Sequence, residues 1–471
     1  MFRTLLVILS LLPLPVQAGM TQLSEELEQI RQRFGIGAMA YVLVEGEKTV
    51  LQAGHGHYSL AGERKITPQS LFRVGSLTKL VTGLSLQMLA AQGRIDLDAP
   101  IKRYLPGIPL DNPWSTPVTL NMVLEHSAGL QDLTSEEFNY PVPLSLTDAF
   151  KVSPDARKVL WQPGLHHSYS NVGAGYAGAV LEKVTGTGWD QWVQQNILLP
   201  LNMETSGTLY SDSVQQRLVT GYDTDRKTPI PYWHTLFRPF GALNTTAEEF
   251  SQLLKLMINR GTVDGKRLLT ANQIEAMEAP RSTIAATYGH RYGYGAGVYR
   301  YYRDGQLLLG HGGDGDGYLA HFAYNPDSQR GFFVVTNAFH HPSLRALRKP
   351  LESWVVAPLN KRPAAEAKLT EAELEALTGR YQAVTNRFQG RSHQPEEIDV
   401  QREGQRLYYE TNSRRKELIA VSSTRFREKN EGDASHIFLH QQNDMYWQSD
   451  VGNYRRIRAN QVGTGSDTRL K

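Results

Sequence analysis

Apolar residues change their spacing from one segment of the chain to the next, and those changes outline an architecture. Leu23, Leu27, Ile30 and Phe34 recur at helical intervals and stop at Gly35. Residues 38–44 and 49–53 then read as two strands joined at Glu45-Gly46-Glu47-Lys48, a hairpin. From Ser76 onward Leu77, Leu80, Val81, Leu84 and Met88 return to helical spacing, and Gly93 suits the end of that helix. A long region, 95–279, is mostly helical with many Pro and Gly breaks; it includes an amphipathic stretch, 247–260, that opens after Thr245-Thr246. Strands follow at 294–302, 306–309, 318–324 and 331–337, with a turn at Arg303-Asp304-Gly305, and then a helix over 343–356. This order predicts an α+β fold. One antiparallel sheet is built from both ends of the domain and flanked by helices, with the large helical region inserted between its strands.

Past this unit, Ala357-Pro-Leu-Asn-Lys-Arg-Pro-Ala-Ala365 has linker composition. The predicted division is a domain over 19–358, a linker over 359–368 and a second domain over 369–471. Thr370-Glu-Ala-Glu373 is a capping box that opens a short helix. Short β-rich runs at 398–402, 406–410, 417–421, 425–428, 436–439, 445–448 and 454–458 come next, separated by turns such as Glu403-Gly404 and Gln442-Asn443-Asp444. They predict a meander that closes into a small all-β barrel. No strong internal repeat is visible.

Charge and composition narrow the classes. In 471 residues the net charge is only +3, which gives no electrostatic case for nucleic acid or a membrane surface. Cysteine is absent, so disulfides, thiolate metal sites and cysteine nucleophiles are excluded together. Met1-Phe-Arg-Thr4, the apolar run 5–14 and Val16-Gln-Ala18 have the three parts of a secretory signal, with a cut after Ala18. A membrane anchor is the competing reading, but Pro13 and Pro15 interrupt a run already too short to span a bilayer. The expectation is an exported mature chain without a transmembrane segment, in a bacterial periplasm.

Candidate chemistry gathers at three places. Ser76 and Lys79 lie three residues apart at a helix start, so they share a face, with Gly83 leaving room above them. A desolvated lysine can take a serine's proton, and a helix N-terminus favours the negative charge on a carbonyl oxygen under attack. An N-capping serine and an exposed lysine form the bland alternative, and Ser413-Arg-Arg-Lys416 repeats the pattern in a basic turn without apolar periodicity. Tyr169-Ser170-Asn171 is the one Tyr-x-Asn in the chain and offers a second proton carrier and an amide; a tyrosine that only packs a loop on a helix is its alternative. Gly310-His-Gly-Gly-Asp-Gly-Asp-Gly317 ends a strand and lets a substrate backbone approach. It lacks P-loop spacing, and a calcium loop would need an acid where Asn325 stands, which leaves a flexible hairpin loop as the alternative. His55 with His57, His166 with His167 and His340 with His341 find no third ligand. No Gly-x-Ser-x-Gly or His-Glu-x-x-His occurs.

Ser76-Leu-Thr-Lys79, Tyr169-Ser-Asn171 and His311-Gly-Gly313, in that order, resemble the three motifs of the penicillin-recognising serine hydrolases, in particular their class C β-lactamase-like branch. Leu124-Glu-His-Ser-Ala-Gly-Leu130, Gly186 after Lys183-Val-Thr185, and Leu199-Pro-Leu-Asn-Met203 add to a likeness that spans about 23–353. The C-terminal region resembles the lipocalin-like domains appended to some members. The resemblance implies that Ser76 is acylated, that Lys79 and Tyr169 move protons, and that Asn171 positions substrate. It further implies an oxyanion hole from the backbone N–H groups of Ser76 and Asp314, with Gly313 and His311 in the substrate-binding motif and no cofactor or metal.

One departure carries consequences. Where β-lactamases of this branch have Lys-Thr-Gly, this chain has His311, Gly312 and Gly313, so a substrate carboxylate loses a charged partner unless an arginine such as Arg238 or Arg291 replaces it. The implied activity is hydrolysis of an ester or amide, esterase- or D-peptidase-like, on a small-molecule or peptide substrate. A true β-lactamase and a non-catalytic penicillin-binding scaffold acting through the barrel are the alternatives. The C-terminal domain is expected to tune access without supplying catalytic groups, and oligomeric state stays open.

Overall fold

The computed structural model describes residues 14–138, 140–385, 387, 395–411, 414–441, 443–449 and 452–457. Residues 1–13 of the expected signal, Ser413 of the competing Ser-x-x-Lys, Gln442 of a predicted turn and Arg458 lie outside them. A first helix, α1 (Leu14–Arg33), runs through the expected cut after Ala18. None of the described helices is long and apolar enough to cross a membrane.

The hairpin β1 (Ala38–Glu45) and β2 (Lys48–Gly56) forms where alternation predicts it. Helix α2 (Thr78–Ala91) precedes the long helical region, to which α3 (Asn171–Thr185) and α4 (Ala247–Ile258) belong, and α3 stops at Gly186, whose φ of +71° favours glycine. Then come β3 (Tyr299–Arg303), β4 (Gln306–Gly315), β5 (Tyr318–Asn325) and β6 (Arg330–Thr336), followed by α5 (His341–Val356). The sheet order is β2-β1-β6-β5-β4-β3, antiparallel throughout, so β1 from one end of the domain pairs with β6 from the other.

Both faces of this sheet are covered, and period-two alternation sorts its residues between them. Met39, Tyr41 and Leu43 of β1 join Leu27 of α1 and Leu347 and Leu351 of α5 in one cluster. Ala40, Val42 and Val44 turn the other way, into the core that holds Leu80 and Leu84 of α2 and Phe250 and Leu254 of α4.

Two strand boundaries differ from the sequence reading by five residues or more. The strand predicted over 294–302 begins only at Tyr299, because Gly295 N–H bonds to Val298 O and Gly297, at φ +85°, turns the chain back against Lys79 O. The glycine-rich run is no loop. It stays paired with β5 as far as Gly315, so β4 extends six residues past the predicted 306–309.

The C-terminal region closes a barrel of β7 (Gly379–Ala383), β8 (Glu397–Glu403), β9 (Arg406–Thr411), β10 (Arg414–Ala420), β11 (Arg425–Glu428), β12 (His436–Gln441), β13 (Asp444–Gln448) and β14 (Asn453–Arg456). Its own core gathers around Trp447, Tyr381, Tyr409 and Phe438. The strand β7, which pairs with both β8 and β14, was absent from the sequence reading, since Tyr381 is its one large apolar residue. The expected linker lies along the barrel, with Ala364 N–H bonded to Gly432 O and Ala367 N–H to Ala420 O. Ile437 and Leu439 of β12 pack on Ala285, and Asn453 Nδ2 and Thr385 Oγ1 both donate to His167 O, so the barrel is docked on the hydrolase-like region.

Candidate active site

Across Leu71–Leu80 Ser76 is the one residue that is not buried. It sits in a single 3₁₀ turn, Gly75–Leu77, that leads directly into α2, and its hydroxyl caps nothing. The turn is held from below: Thr78 Oγ1 donates to Gly75 O at 2.7 Å and accepts from Leu243 N–H at 3.0 Å. Strand β4 presses on it from the side. A Cβ on Gly313 would stand 2.0 Å from Val74 O, and one on Gly75 would stand 2.5 Å from Asp314 O, so glycine at both positions is what lets strand and turn touch. Gly313 is therefore a packing residue, whereas Gly312, Asp314 and Gly315 line the cavity above Ser76. Gly83, expected to leave room there, instead admits Ala296 O, which a Cβ would meet at 2.6 Å.

Lys79 is 4% exposed and reaches three oxygens: Asn171 Oδ1 at 2.8 Å, Phe240 O at 3.1 Å and Ser76 Oγ at 3.1 Å. Burial pushes its ammonium well below the usual lysine range, and the nearby Arg387 charge adds to the shift. With Asn171 and Phe240 accepting two N–H bonds, the third position on Nζ faces Ser76 Oγ, the direction in which an unprotonated amine would turn its lone pair. Tyr169 completes the group from the other side, its hydroxyl donating to Ser76 Oγ at 3.0 Å. Burial raises its pKa, so it stays a phenol at neutral pH and carries a proton to give. Asn171 opens α3, where its N–H donates to Asp132 Oδ1 at 2.6 Å.

His311 is buried, and both ring nitrogens are engaged within the protein, Nε2 with Tyr294 Oη and Nδ1 with Gly312 O. Burial takes its pKa down to about 3. It lines the cavity as a neutral ring with no donor left for a carboxylate. Arg238 and Arg291, the replacement cations considered above, are elsewhere: Arg238 pairs with Asp190, and Arg291 is an exposed partner of Glu275.

Other residues on or beside the cavity were not anticipated. Its 690 Å³ is lined also by Arg345, Arg348, Tyr294 and Arg387. Arg348 is committed to Glu352 at 2.7 Å, while exposed Arg345 makes no ion pair among the described residues. Arg387 comes from the barrel, after β7. Its Nε donates to Asp132 Oδ2 at 2.9 Å, and its guanidinium lies 4.4 Å from the Tyr169 ring centroid. The C-terminal region thus places a cation on the cavity wall. His126 stacks on Tyr169 at 4.0 Å and accepts the Ser170 N–H on Nδ1. It lies inside the 124–130 phrase, the one signal that pointed near it; Arg387 had none.

A serine with an amine and a phenol on its oxygen, set between a helical turn and a strand edge, places a nucleophile beside two proton carriers on a β-lactamase-like fold. Residues 23–353 match the Beta-lactamase family, and the chain belongs to that family. Curated relatives include protein flp of Staphylococcus aureus, 22% identical over 327 residues, which are 67% of this chain and 62% of that protein. Penicillin-binding protein 4 of Amycolatopsis lactamdurans is 26% identical over 314 residues, 64% of this chain and 80% of the relative. Among solved structures, the octameric penicillin-binding protein homologue of Pyrococcus abyssi superposes with a TM-score of 0.62 at 22% identity, covering 93% of this chain and 99% of its own. A β-lactamase/D-alanine carboxypeptidase of Yersinia pestis reaches 0.60 at 21% identity, covering 71% of this chain and 99% of its own.

Proposed function

We propose that this chain is an exported serine hydrolase that cleaves an ester or amide through an acyl-enzyme on Ser76, with short-chain esters or D-amino peptides as substrates. The single observation that carries the reading is the placement of Ser76 Oγ between Lys79 Nζ and Tyr169 Oη at 3.1 and 3.0 Å. Ser76 Oγ attacks the carbonyl carbon as its proton passes to the neutral Lys79 amine. The oxyanion accepts from the backbone N–H groups of Ser76, at the helix start, and of Asp314, on β4. Tyr169 gives its phenolic proton to the leaving oxygen or nitrogen, and the proton that Lys79 took from Ser76 passes to the phenolate in its place. Water then attacks the ester by the reverse of these transfers. Asn171, bonded to Lys79, holds the amine in place and offers its amide to the substrate. Export is supported by the charged, apolar and small-residue order of residues 1–18.

Neutral His311 and Gly312 favour substrates without a carboxylate beside the reacting carbonyl. A lost charge-assisted pair of about 1.5–3 kcal/mol corresponds to roughly ten- to a hundredfold in acylation. A second reading, β-lactam or D-alanine-terminated peptide hydrolysis, is favoured by Arg345, a cavity cation without an ion-pair partner among the described residues. Comparing kcat/KM for a short-chain ester, a penicillin and a D-alanyl peptide decides between them. The ester is expected to exceed the penicillin, with the gap narrowed by His311→Lys plus Gly312→Thr. Faster turnover of penicillin than of any ester would reverse the order of the two readings.

A further inference from the structure

A second cavity, of 450 Å³, lies where the barrel meets β3, the edge strand of the sheet. Arg300, Gln448, Asn453 and His167 line it, with Tyr292 and Tyr294 among its aromatic walls. Clefts between packed domains are common ligand sites. The polar groups here are unusual in what they lack.

Arg300 donates through Nε to Glu278 O at 2.6 Å but makes no ion pair among the described residues. The Glu278 carboxylate beside it is already bonded to Arg260 and to Tyr324 Oη. Burial lowers the Arg300 pKa, and the Arg291 charge adds to the shift. Asn453 is 4% exposed, and its Nδ2 donates to His167 O at 2.9 Å, which fixes the amide and leaves Oδ1 buried without a partner. Gln448 Oε1 and His167 Nε2 are likewise buried and unpartnered. Unpaired buried polar atoms are costly and rarely gather by chance around one space.

The cavity therefore has a cation at Arg300 and, in its walls, the Asn453 and Gln448 side chains with their two buried, unpartnered acceptor oxygens. A sugar would leave the guanidinium uncompensated, and inorganic phosphate would set its oxygens against the amide oxygens. A ligand with both an ammonium and a carboxylate satisfies all three. We propose that this cavity binds a zwitterionic amino acid or short peptide, its carboxylate on Arg300 and its ammonium on Asn453 and Gln448. Tyr294 and Tyr299 line both this cavity and the one above Ser76. Tyr294 also meets the Tyr169 ring edge-on at 5.9 Å, so an occupant bears on the catalytic wall from behind.

The test is calorimetric titration of full-length Ser76→Ala protein with glycine, D-alanine, L-alanine and alanyl-alanine, against acetate, ethylammonium and glucose. At least one zwitterion is expected to saturate with a Kd below roughly 10 mM, and acetate and ethylammonium to bind at least about tenfold more weakly. Arg300→Gln and Gln448→Leu should each weaken binding roughly tenfold or more. If Arg300→Gln does not fold, half-buried Gln448 carries the test. Wild-type protein with Ser76 blocked by a fluorophosphonate should bind as tightly as Ser76→Ala, which separates this site from the hydrolytic one. The proposal is overturned by absence of zwitterion binding up to about 10 mM, by glucose or acetate binding as well, by indifference to both substitutions, or by loss of binding on phosphonylation.

Discussion

Two basic side chains stand beside the Ser76 group from different regions of the molecule, and they are built in opposite ways. Lys79 stands one helical turn from the serine, is 4% exposed, and has only neutral oxygens within hydrogen-bond reach. Arg387 arrives from the barrel with a side chain 40% exposed and a buried carboxylate, Asp132, as its partner. A lysine that must accept a proton is best stripped of solvent and of counter-charge; a guanidinium that anchors a domain keeps both. The difference separates two ways of placing a basic group: Lys79 is shaped by burial between α2 and α3, whereas Arg387 brings a fixed charge in from the barrel.

The largest effect should come from removing the first of these. Lys79→Ala and Tyr169→Phe are each expected to lower acylation by about 10²–10⁴-fold. Because both act on one oxygen, the double variant should lose little more than the worse single one. Stopped-flow acylation rates check this, and clean additivity would assign them independent roles.

A smaller effect, and a sharper one for the comparison, concerns Arg387. Its charge helps hold Lys79 neutral. Activity needs the unprotonated amine, so it falls as pH drops through the lowered Lys79 pKa. Arg387→Gln removes a repelling charge, raises that pKa, and should shift the acid limb of the kcat/KM profile to higher pH, with a loss of about tenfold at neutral pH. Arg387→Lys should restore most of it. An unmoved limb would reduce Arg387 to a docking residue.

Stability should respond through a separate set of groups, whatever happens to activity. Burial holds His166 and His167 at about 4 and His290 and His311 at about 3. The unfolded chain takes up these protons near pH 6.5, so below that value it binds more protons than the native state and stability falls. The slope is at most about 1.4 kcal/mol per pH unit for each histidine, and above about pH 6.5 these groups contribute no slope. Denaturant unfolding at pH 7.5 and pH 5 measures it. Equal stability at the two would show that the rings are not held neutral.

Most of the hydrolase fold was legible because it rests on local pattern. Alternation in β1 and the i, i+3 pairing of Ser76 with Lys79 both act within a few residues. What was hidden depends on distant partners. The Arg387 contact with Asp132 spans 255 positions, and its sequence neighbours carry no periodicity. Residue type alone could place His311 in the third motif, yet not reveal that Tyr294 and Gly312 occupy its ring nitrogens. Gly313 read as open space for substrate because only the approach of Val74 O shows what its missing Cβ makes room for.

The central claim is that Ser76 is the group acylated. Intact-mass analysis with peptide mapping, after exposure to a fluorophosphonate, a labelled penicillin and a panel of short-chain esters and D-amino peptides, tests it most directly. The account predicts one adduct per chain, mapped to Ser76 and absent from folded Ser76→Ala. An adduct that survives Ser76→Ala, or that maps to Ser413, would contradict it.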